Sequence, residues 1–178
     1  MKGLFYLLIT FLLLSGCIQE PEPRVLDVKP VVDQYFLGGY TGKGAEGLFV
    51  LAGNTDAVRN GLEEILGGGS SRTSFSADED LNLVAFRGIF ATGGHGIKID
   101  KVEQVGKVFN IYATYTDPGT GMMVTQAFTQ PTAIIAIGKM VKGSYKAKLL
   151  VTKILKTRSG DKLLETEAPS MSISFTVK

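Results

Sequence analysis

The sequence is poor in the residues that most often carry chemistry. Its 178 residues include one histidine, one cysteine and no tryptophan. A single cysteine excludes an internal disulfide, and a zinc site would lack most of the nitrogen and sulfur ligands it normally uses. The formal net charge of +2 also falls short of the strong basic excess of nucleic-acid-binding proteins. We therefore expect no metal, no tightly bound cofactor and no nucleic acid partner.

Long apolar runs are scarce as well. The longest covers residues 4–14 and follows the positive charge of Lys2. It is too short to span a bilayer, which takes about 20 residues, but it suits the apolar centre of a signal peptide. Leu14-Ser15-Gly16-Cys17 comes next and resembles the lipobox of prokaryotic lipoproteins.

The lipobox resemblance implies that residues 1–16 are a lipoprotein signal peptide and that Cys17 is the site of lipid attachment. It explains why an exported protein has one unpaired cysteine. Acyl chains such as palmitate on Cys17 would hold the protein on the cell membrane, facing away from the cytoplasm. The alternative is an ordinary secretory signal, or an uncleaved anchor, with a chance cysteine.

Behind the cysteine, the composition predicts an extended tether and then one globular domain. Residues 17–34 contain Pro21, Pro23 and Pro30, which favour extended backbone, so we assign this segment to the tether. Residues 35–178 are predicted to form a β-rich globular domain.

One short amphipathic helix is predicted within residues 54–69. Asn54 or Thr55 can cap its N-terminus, and Gly67 is expected to end it in a left-handed conformation. A single apolar stripe marks its buried face: Val58, Leu62, Ile65 and Leu66.

The rest of the domain reads as β-structure joined by turns at 116–121 and 158–161. Short strands at regular spacing predict a mainly β (α+β) protein, an antiparallel sandwich or barrel-like domain with the helix packed against it. The predicted strands are 48–52, 83–90, 96–102, 107–116, 122–129, 132–137, 145–156 and 170–177.

Two short motifs do not satisfy their structural requirements. Residues 42–47 match GxGxxG, but an apolar strand follows where the dinucleotide motif needs a helix. The acidic run Asp78-Glu79-Asp80 matches the start of an EF-hand loop, yet Leu83 and Ile89 replace the required glycine and glutamate. Two interpretations of the acidic run stay open: a looser calcium site, or a solvated loop.

A basic stretch, residues 139–162, contains eight lysines and arginines and one aspartate, Asp161. It has two interpretations. The lysines contact anionic lipid headgroups or an acidic partner, or they are solvated and protect an edge strand from pairing.

The lone histidine, His95, lies in a glycine-rich turn between two predicted strands. No second histidine or cysteine can share a metal with it, and no G-x-S-x-G motif supplies a nucleophile. We therefore expect no catalytic residues and no enzyme. Glycines allow close backbone approach to a partner, so the turn is a candidate binding loop, made of Thr92, Gly93, Gly94, His95 and Gly96.

Two sequence blocks resemble the C-terminal domain of PrcB-type protease-complex subunits. The first is LVAFRGIFATGGHGIKI, with its T-G-G turn, and the second is VTQAFTQPTAIIAI, with V-T-Q-A and Pro131 before a strand. Together they cover a PrcB-like block at residues 83–139. The family usually has tyrosine after the two glycines, where this chain has His95.

This resemblance implies an exported, often lipid-anchored accessory protein that associates with a protease, and it implies no catalytic residues. We accordingly expect a non-enzymatic protein-binding subunit, with an exported protein, such as a protease, as its partner. Two alternatives stay open. One is a lipoprotein that binds a small ligand or a cell-surface polymer. The other is a protease inhibitor using the 91–96 loop, because the T-G-G turn is similar to that of chagasin-like inhibitors.

Overall fold

The computed structural model describes residues 22–27, 31–33, 46–166 and 171–178. The predicted signal peptide 1–16, the lipid site Cys17 and most of the GxGxxG motif lie outside these residues. Within them, no helix is long and apolar enough to cross a membrane.

Alternating apolar and polar residues place most of the described chain in strands, and the predicted apolar stripe forms the helix. The elements are β1 (Arg24–Val25), β2 (Val31–Asp33), β3 (Gly47–Ala52), α1 (Thr55–Leu66), β4 (Ser74–Phe75), β5 (Leu81–Phe86), β6 (Gly96–Val105), β7 (Val108–Pro118), β8 (Thr132–Gly138), β9 (Gly143–Thr157), β10 (Gly160–Thr166) and β11 (Met171–Val177).

The strands form two sheets, and the main hydrophobic core lies between them. The large sheet has the order β1-β6-β7-β9-β11-β4, with β10 also paired to β9, and the small sheet has the order β2-β8-β5-β3. Strand β5 is buried on both faces, because Leu83 faces the large sheet while Val84 faces the helix. The predicted mainly β sandwich with one helix is therefore confirmed.

The large sheet is mixed, whereas the sequence predicts an antiparallel one. Strands β7 and β9 run parallel over eleven residue pairs, from Val108↔Lys146 to Pro118↔Lys156. Between them the chain crosses to the small sheet as β8 and then returns. A connection through a third strand brings the chain back in its original direction, so the two neighbours become parallel.

Strand β9 is an interior strand. Strand β7 lies along one side, and β11 and then β10 lie along the other. The lysines that β9 contributes to the basic stretch 139–162 therefore do not protect an edge, which removes that interpretation for this strand.

Helix α1 confirms the predicted cap and buried stripe and corrects the predicted end. The Asn54 side chain accepts a hydrogen bond from the Ala57 amide at 3.0 Å, and Val58 and Leu62 are buried against the small sheet. The left-handed conformation predicted for Gly67 is wrong. Gly67 keeps a right-handed φ of −75° because its amide still bonds Glu63 in helical fashion, and Gly68 takes the positive φ of 102°.

Three strand predictions differ from the structure. The strand predicted at 122–129 is wrong, since this segment lies in a loop that is bonded to residues 87–95 through the Phe90–Thr129 bridge and the Gly93 amide. The strand predicted at 83–90 ends at Phe86, where the chain turns toward Gly88 with its positive φ of 102°. Strand β10 follows the turn predicted at 158–161, where no strand was predicted.

Parts of the predicted tether, 17–34, are extended but paired. Strand β1 joins the edge of the large sheet through Arg24↔Gln104, and β2 joins the edge of the small sheet through Val31↔Ile134. Strand β1 thus contacts the sandwich beside the tight turn that connects β6 to β7, whereas β2 lies along the first residues of β8.

The β6–β7 hairpin defines two poles of the molecule. Its tight turn at Gly106 and Lys107 marks one end, the turn pole. At the other end, the loop pole, one loop leads into β6 and another leaves β7. Strand β7 has 11 residues, so the poles are about 33 Å apart at the usual rise per residue.

Candidate functional site

Two loops, 87–95 and 119–131, build the loop pole and are bonded to each other. Phe90 and Thr129 exchange two backbone hydrogen bonds of 2.9 Å, and the Gly93 amide donates to the Thr125 carbonyl at 2.9 Å. The Thr129 hydroxyl donates to the Thr92 carbonyl at 2.8 Å. The predicted binding turn, 92–96, therefore rests on a second loop that the sequence assigned to a strand.

Arg87 joins the ends of three strands. It follows β5, and its side chain is only 6% exposed. The guanidinium donates to the carbonyls of Gly96, at 3.1 Å, and Thr116, at 2.6 Å, and to Asp117 Oδ2 at 2.6 Å. A buried charge held by three hydrogen bonds fixes the local geometry, because any displacement leaves it unpaired.

The flat faces of the Arg87 guanidinium are also occupied. It lies 4.9 Å from the ring centre of Phe90 and 4.6 Å from that of Tyr115. Burial raises the pKa of the Tyr115 phenol, and the Glu46 carboxylate adds to this effect. Tyr115 is therefore a neutral wall of the site at physiological pH.

Asp117 bridges Arg87 and the lone histidine. Its second oxygen, Oδ1, accepts a hydrogen bond from His95 Nδ1 at 2.6 Å. Burial on its own raises the pKa of Asp117, but the hydrogen bonds from Arg87 and His95 and the positive charge of Arg87 outweigh this effect. They hold that pKa below its usual value, so Asp117 is ionised at neutral pH.

His95 is held on three sides. Its ring stacks on Phe90 with the centres 3.9 Å apart and the planes at 12°. Nδ1 must carry a hydrogen, since an ionised carboxylate only accepts. Nε2 lies 3.5 Å from Thr92 Oγ1. The Thr92 hydroxyl, the His95 imidazole and the Asp117 carboxylate are arranged in the order of a hydrolase triad. However, the distance between Thr92 Oγ1 and His95 Nε2 is too long for a well-formed hydrogen bond. This geometry favours a structural role for His95 in fixing the turn over a role in activating Thr92 as a nucleophile.

The glycines of the turn permit close packing. A Cβ at Gly93 would overlap Thr125 Oγ1, and a Cβ at Gly96 would lie 2.7 Å from Thr116 Oγ1. Gly94 has a φ of +88°, which L side chains rarely adopt. The structure thus brings the five predicted residues, Thr92 to Gly96, into one turn, with Gly93 buried and the Thr92 and His95 side chains in internal contacts.

The exposed apolar groups of the loop pole lie on the second loop. Met123 is 95% exposed and Phe128 is 58% exposed. Thr125, Gln126 and Ala127 between them are exposed as well. Because the backbone of this loop is bonded to the 87–95 loop, the two apolar side chains project from a fixed support.

The other candidate sites are occupied by internal contacts. Within the acidic run, Glu79 receives hydrogen bonds from Arg72 at 2.5 Å and from the Ser76 amide at 2.6 Å. In the described part of the chain, no group of three or more histidine, cysteine or acidic residues could hold a metal ion.

The glycine pattern predicts the turn but not the residues that hold it. Arg87 has a usable signal, since it is the one charge at the end of an apolar strand, LNLVAF. The turn motif at 116–121 contains Asp117, and the strand predicted at 122–129 contains Met123 and Phe128. Nothing in the local sequence pairs Asp117 with two residues 22 and 30 positions earlier.

Both loops of the loop pole lie within a segment that matches the model of a known family. Residues 81–138 match the family model described as PrcB C-terminal. The predicted resemblance is thereby confirmed for this segment, which covers about a third of the chain. The PrcB-type match associates the segment with accessory components of protease complexes. No curated protein and no solved structure matches the chain.

Replacing Asp117 tests the electrostatic part of the site. Asp117→Asn leaves the buried Arg87 charge without its carboxylate, so we expect a loss of about 3 kcal/mol in the free energy of unfolding at neutral pH. Hydrogen bonds from Arg87 and His95 hold the folded-state pKa of Asp117 below the value in the unfolded chain. The stabilisation is therefore fully present above that value and is lost as the pH falls through the folded pKa. Urea unfolding of both proteins between neutral and acidic pH measures the difference, and a difference that stays constant with pH would contradict the assignment.

Replacing Gly93 tests the packing of the two loops. Gly93→Ala places a methyl group against Thr125 Oγ1 and should destabilise the protein, whereas Gly93→Ala with Thr125→Ala should recover part of the loss. A double-mutant cycle by thermal unfolding should give a favourable coupling of about 1 kcal/mol. Independent, additive effects would mean that the loops do not pack in this way.

Proposed function

We propose that this protein is a membrane-anchored, exported accessory subunit that binds a protein partner of a protease complex through its loop pole. The observation that carries the proposal is the coincidence of the PrcB-type segment, 81–138, with the two bonded loops. Within that segment, Met123 and Phe128 are the large apolar side chains most exposed to solvent.

The physical state of the loop pole supports a binding role. Cross-loop hydrogen bonds and the Arg87–Asp117–His95 contacts fix the backbone before any partner arrives. Little conformational entropy is then lost on association, which raises the affinity obtained from a small apolar surface. Exposed methionine and phenylalanine side chains on such a support are typical anchors of protein interfaces.

The N-terminal segment supports the anchoring. The lipobox resemblance, Leu14 to Cys17, implies a lipid on Cys17, and β1 joins the sheet at Gln104, close to the turn pole. An anchor that leads into the molecule there directs the loop pole away from the lipid surface, toward soluble or membrane-bound partners.

Protease inhibition by the 91–96 loop has less support. An inhibitory loop presents its own side chains or backbone to the enzyme, but here Gly93 is buried and the Thr92 and His95 side chains contact groups of the same protein. The adjacent loop, 119–131, offers the larger exposed apolar side chains.

Charge placed on the two anchors tests the binding surface. Met123→Asp with Phe128→Asp should leave the fold intact, because both side chains are exposed, and should weaken partner binding about 30-fold or more, the effect of losing a strong hot spot. Affinity capture from detergent-solubilised membranes, with quantitative mass spectrometry of the captured proteins, measures the change.

The chain offers a matched control for that experiment. Val25 and Val141 are 58% and 76% exposed, and both lie toward the turn pole, next to Glu103 on β6 and just before Gly143 on β9. Val25→Asp with Val141→Asp should therefore retain the partner. Equal capture by both double variants would refute the loop pole as the binding surface, and recovery of no stoichiometric protein by the unaltered chain would refute the accessory role.

Metabolic labelling with a clickable fatty acid tests the anchor. The unaltered protein should incorporate the label, and Cys17→Ser should lose it completely because a hydroxyl side chain lacks the sulfur that accepts the lipid. Ser15→Ala keeps a small residue before the cysteine and should remain labelled. Label retained by Cys17→Ser would rule out this residue as the attachment site.

A further inference from the structure

A cleft of about 420 Å³ opens at the turn pole, remote from the loops described above. It lies where the β6–β7 turn meets the start of β9 and the end of β11. Two lysines and four hydroxyl residues line it: Lys107, Lys146, Thr73, Ser144, Ser174 and Thr176.

The backbones of the two lysines are hydrogen-bonded to each other. The Lys146 amide donates to the Lys107 carbonyl at 3.0 Å, which links the turn to β9. The Lys107 amine lies 5.8 Å from the ring centre of Tyr145. It also occupies the space that a Cβ at Gly143 would fill, so the absence of a side chain at this position gives the amine its place.

The cleft has the chemistry of an anion site. Neither Lys107 nor Lys146 forms an ion pair with a carboxylate among the described residues. No acidic residue lines the cleft. Lysine amines and hydroxyl groups donate hydrogen bonds to phosphate oxygens, and the amines also supply the compensating charge. The rings beneath, Tyr145 and Phe175, are buried, so they offer no open face for stacking a sugar or a base.

The acidic residues near this end are either paired or border the small sheet. Glu79 and Asp80 lie beside the small sheet and the start of α1, and Glu79 is paired with Arg72 at 2.5 Å. Glu103, on β6 of the large sheet close to the turn, is paired with Lys101.

The position of the cleft relates it to the membrane. Strand β1 pairs with Gln104, and the Gln104 side chain donates to the Gly106 carbonyl in the turn at 3.0 Å. Arg24 is seven residues after Cys17, and a fully extended chain of that length spans about 24 Å. A lipid on Cys17 would thus keep the cleft within reach of the headgroups.

We propose that this cleft binds the phosphate of an anionic phospholipid headgroup and so seats the turn pole on the membrane. The proposal rests on the membrane anchoring proposed above. It assigns to Lys107 and Lys146 a role separate from partner binding, and it splits the basic stretch 139–162. Lys146 lies at the turn pole, whereas Lys156, paired with Pro118 on β7, lies at the loop pole.

Amine footprinting of the full chain tests the proposal. The protein is reconstituted into vesicles of phosphatidylcholine, with or without phosphatidylglycerol, and lysine acetylation rates are measured by peptide mass spectrometry. Each lysine near an anionic surface gains about a fivefold preference for it. Acetylation of Lys107 and Lys146 should therefore slow about fivefold in the anionic vesicles, while the exposed Lys156 should be unaffected.

Matched variants identify the cleft as the cause. Lys107→Gln should reduce the protection of Lys146, and Lys156→Gln should leave it unchanged. Equal acetylation in both vesicle types would overturn the proposal, as would equal protection of Lys156. Inorganic phosphate added to neutral vesicles should protect neither lysine; full protection by it would identify a site for a free anion and would also overturn the proposal.

Failure of headgroup binding can be distinguished from failure of the proposed lipid anchor or of partner binding. If Cys17 carried no lipid, the apolar segment 4–14 would still hold the full chain in the vesicles, and the labelling of Cys17 would report that failure separately. Partner capture depends on Met123 and Phe128 and should be unchanged in Lys107→Gln.

Discussion

The ion pair between Arg87 and Asp117 is the interaction on which the loop pole depends. Arg87 leaves β5 in the small sheet, and Asp117 lies near the end of β7 in the large sheet, so the pair connects the two layers. Taking a guanidinium out of water costs several kcal/mol unless its donors are satisfied. Here two carbonyls, a carboxylate and two rings surround it. That cost makes alternative loop arrangements unfavourable, and His95 and the glycine turn take their positions from the same carboxylate.

The fold was predictable where the pattern is local. The stripe that includes Val58 and Leu62 specifies a helix face, and the alternation in β7 and β9 specifies strands buried on one side. The direction of a neighbouring strand is not a local property, because it depends on how the chain returns. The parallel pairing of β7 with β9 follows from the crossing through β8, and neither strand shows it in its own residues.

The site was predictable only in part for the same reason. The glycines around His95 indicate a shaped turn, since they permit backbone that other residues resist. Its partners come from elsewhere in the chain. Thr125 and Thr129 lie in a segment whose β-branched and aromatic residues favour a strand. Its backbone instead bonds the turn, and Met123 and Phe128 are left exposed. Long-range hydrogen bonding therefore outweighs the strand propensity of this segment. The resulting loop exposes Met123 and Phe128, the side chains that the proposed binding role requires.

The hairpin of β6 and β7 gives the molecule its directionality. One end carries the turn beside the lysine-lined cleft, and the other ends at Gly96 and Pro118, next to the two bonded loops. Both strands are buried on one face against the small sheet, so they form a stiff support rather than a hinge. A contact between the turn and a membrane would therefore set the height and direction of the loops about 33 Å away. A lipid anchor alone would leave that orientation free. A headgroup in the cleft would restrict it, which lowers the entropy lost when a membrane-associated partner meets Met123 and Phe128.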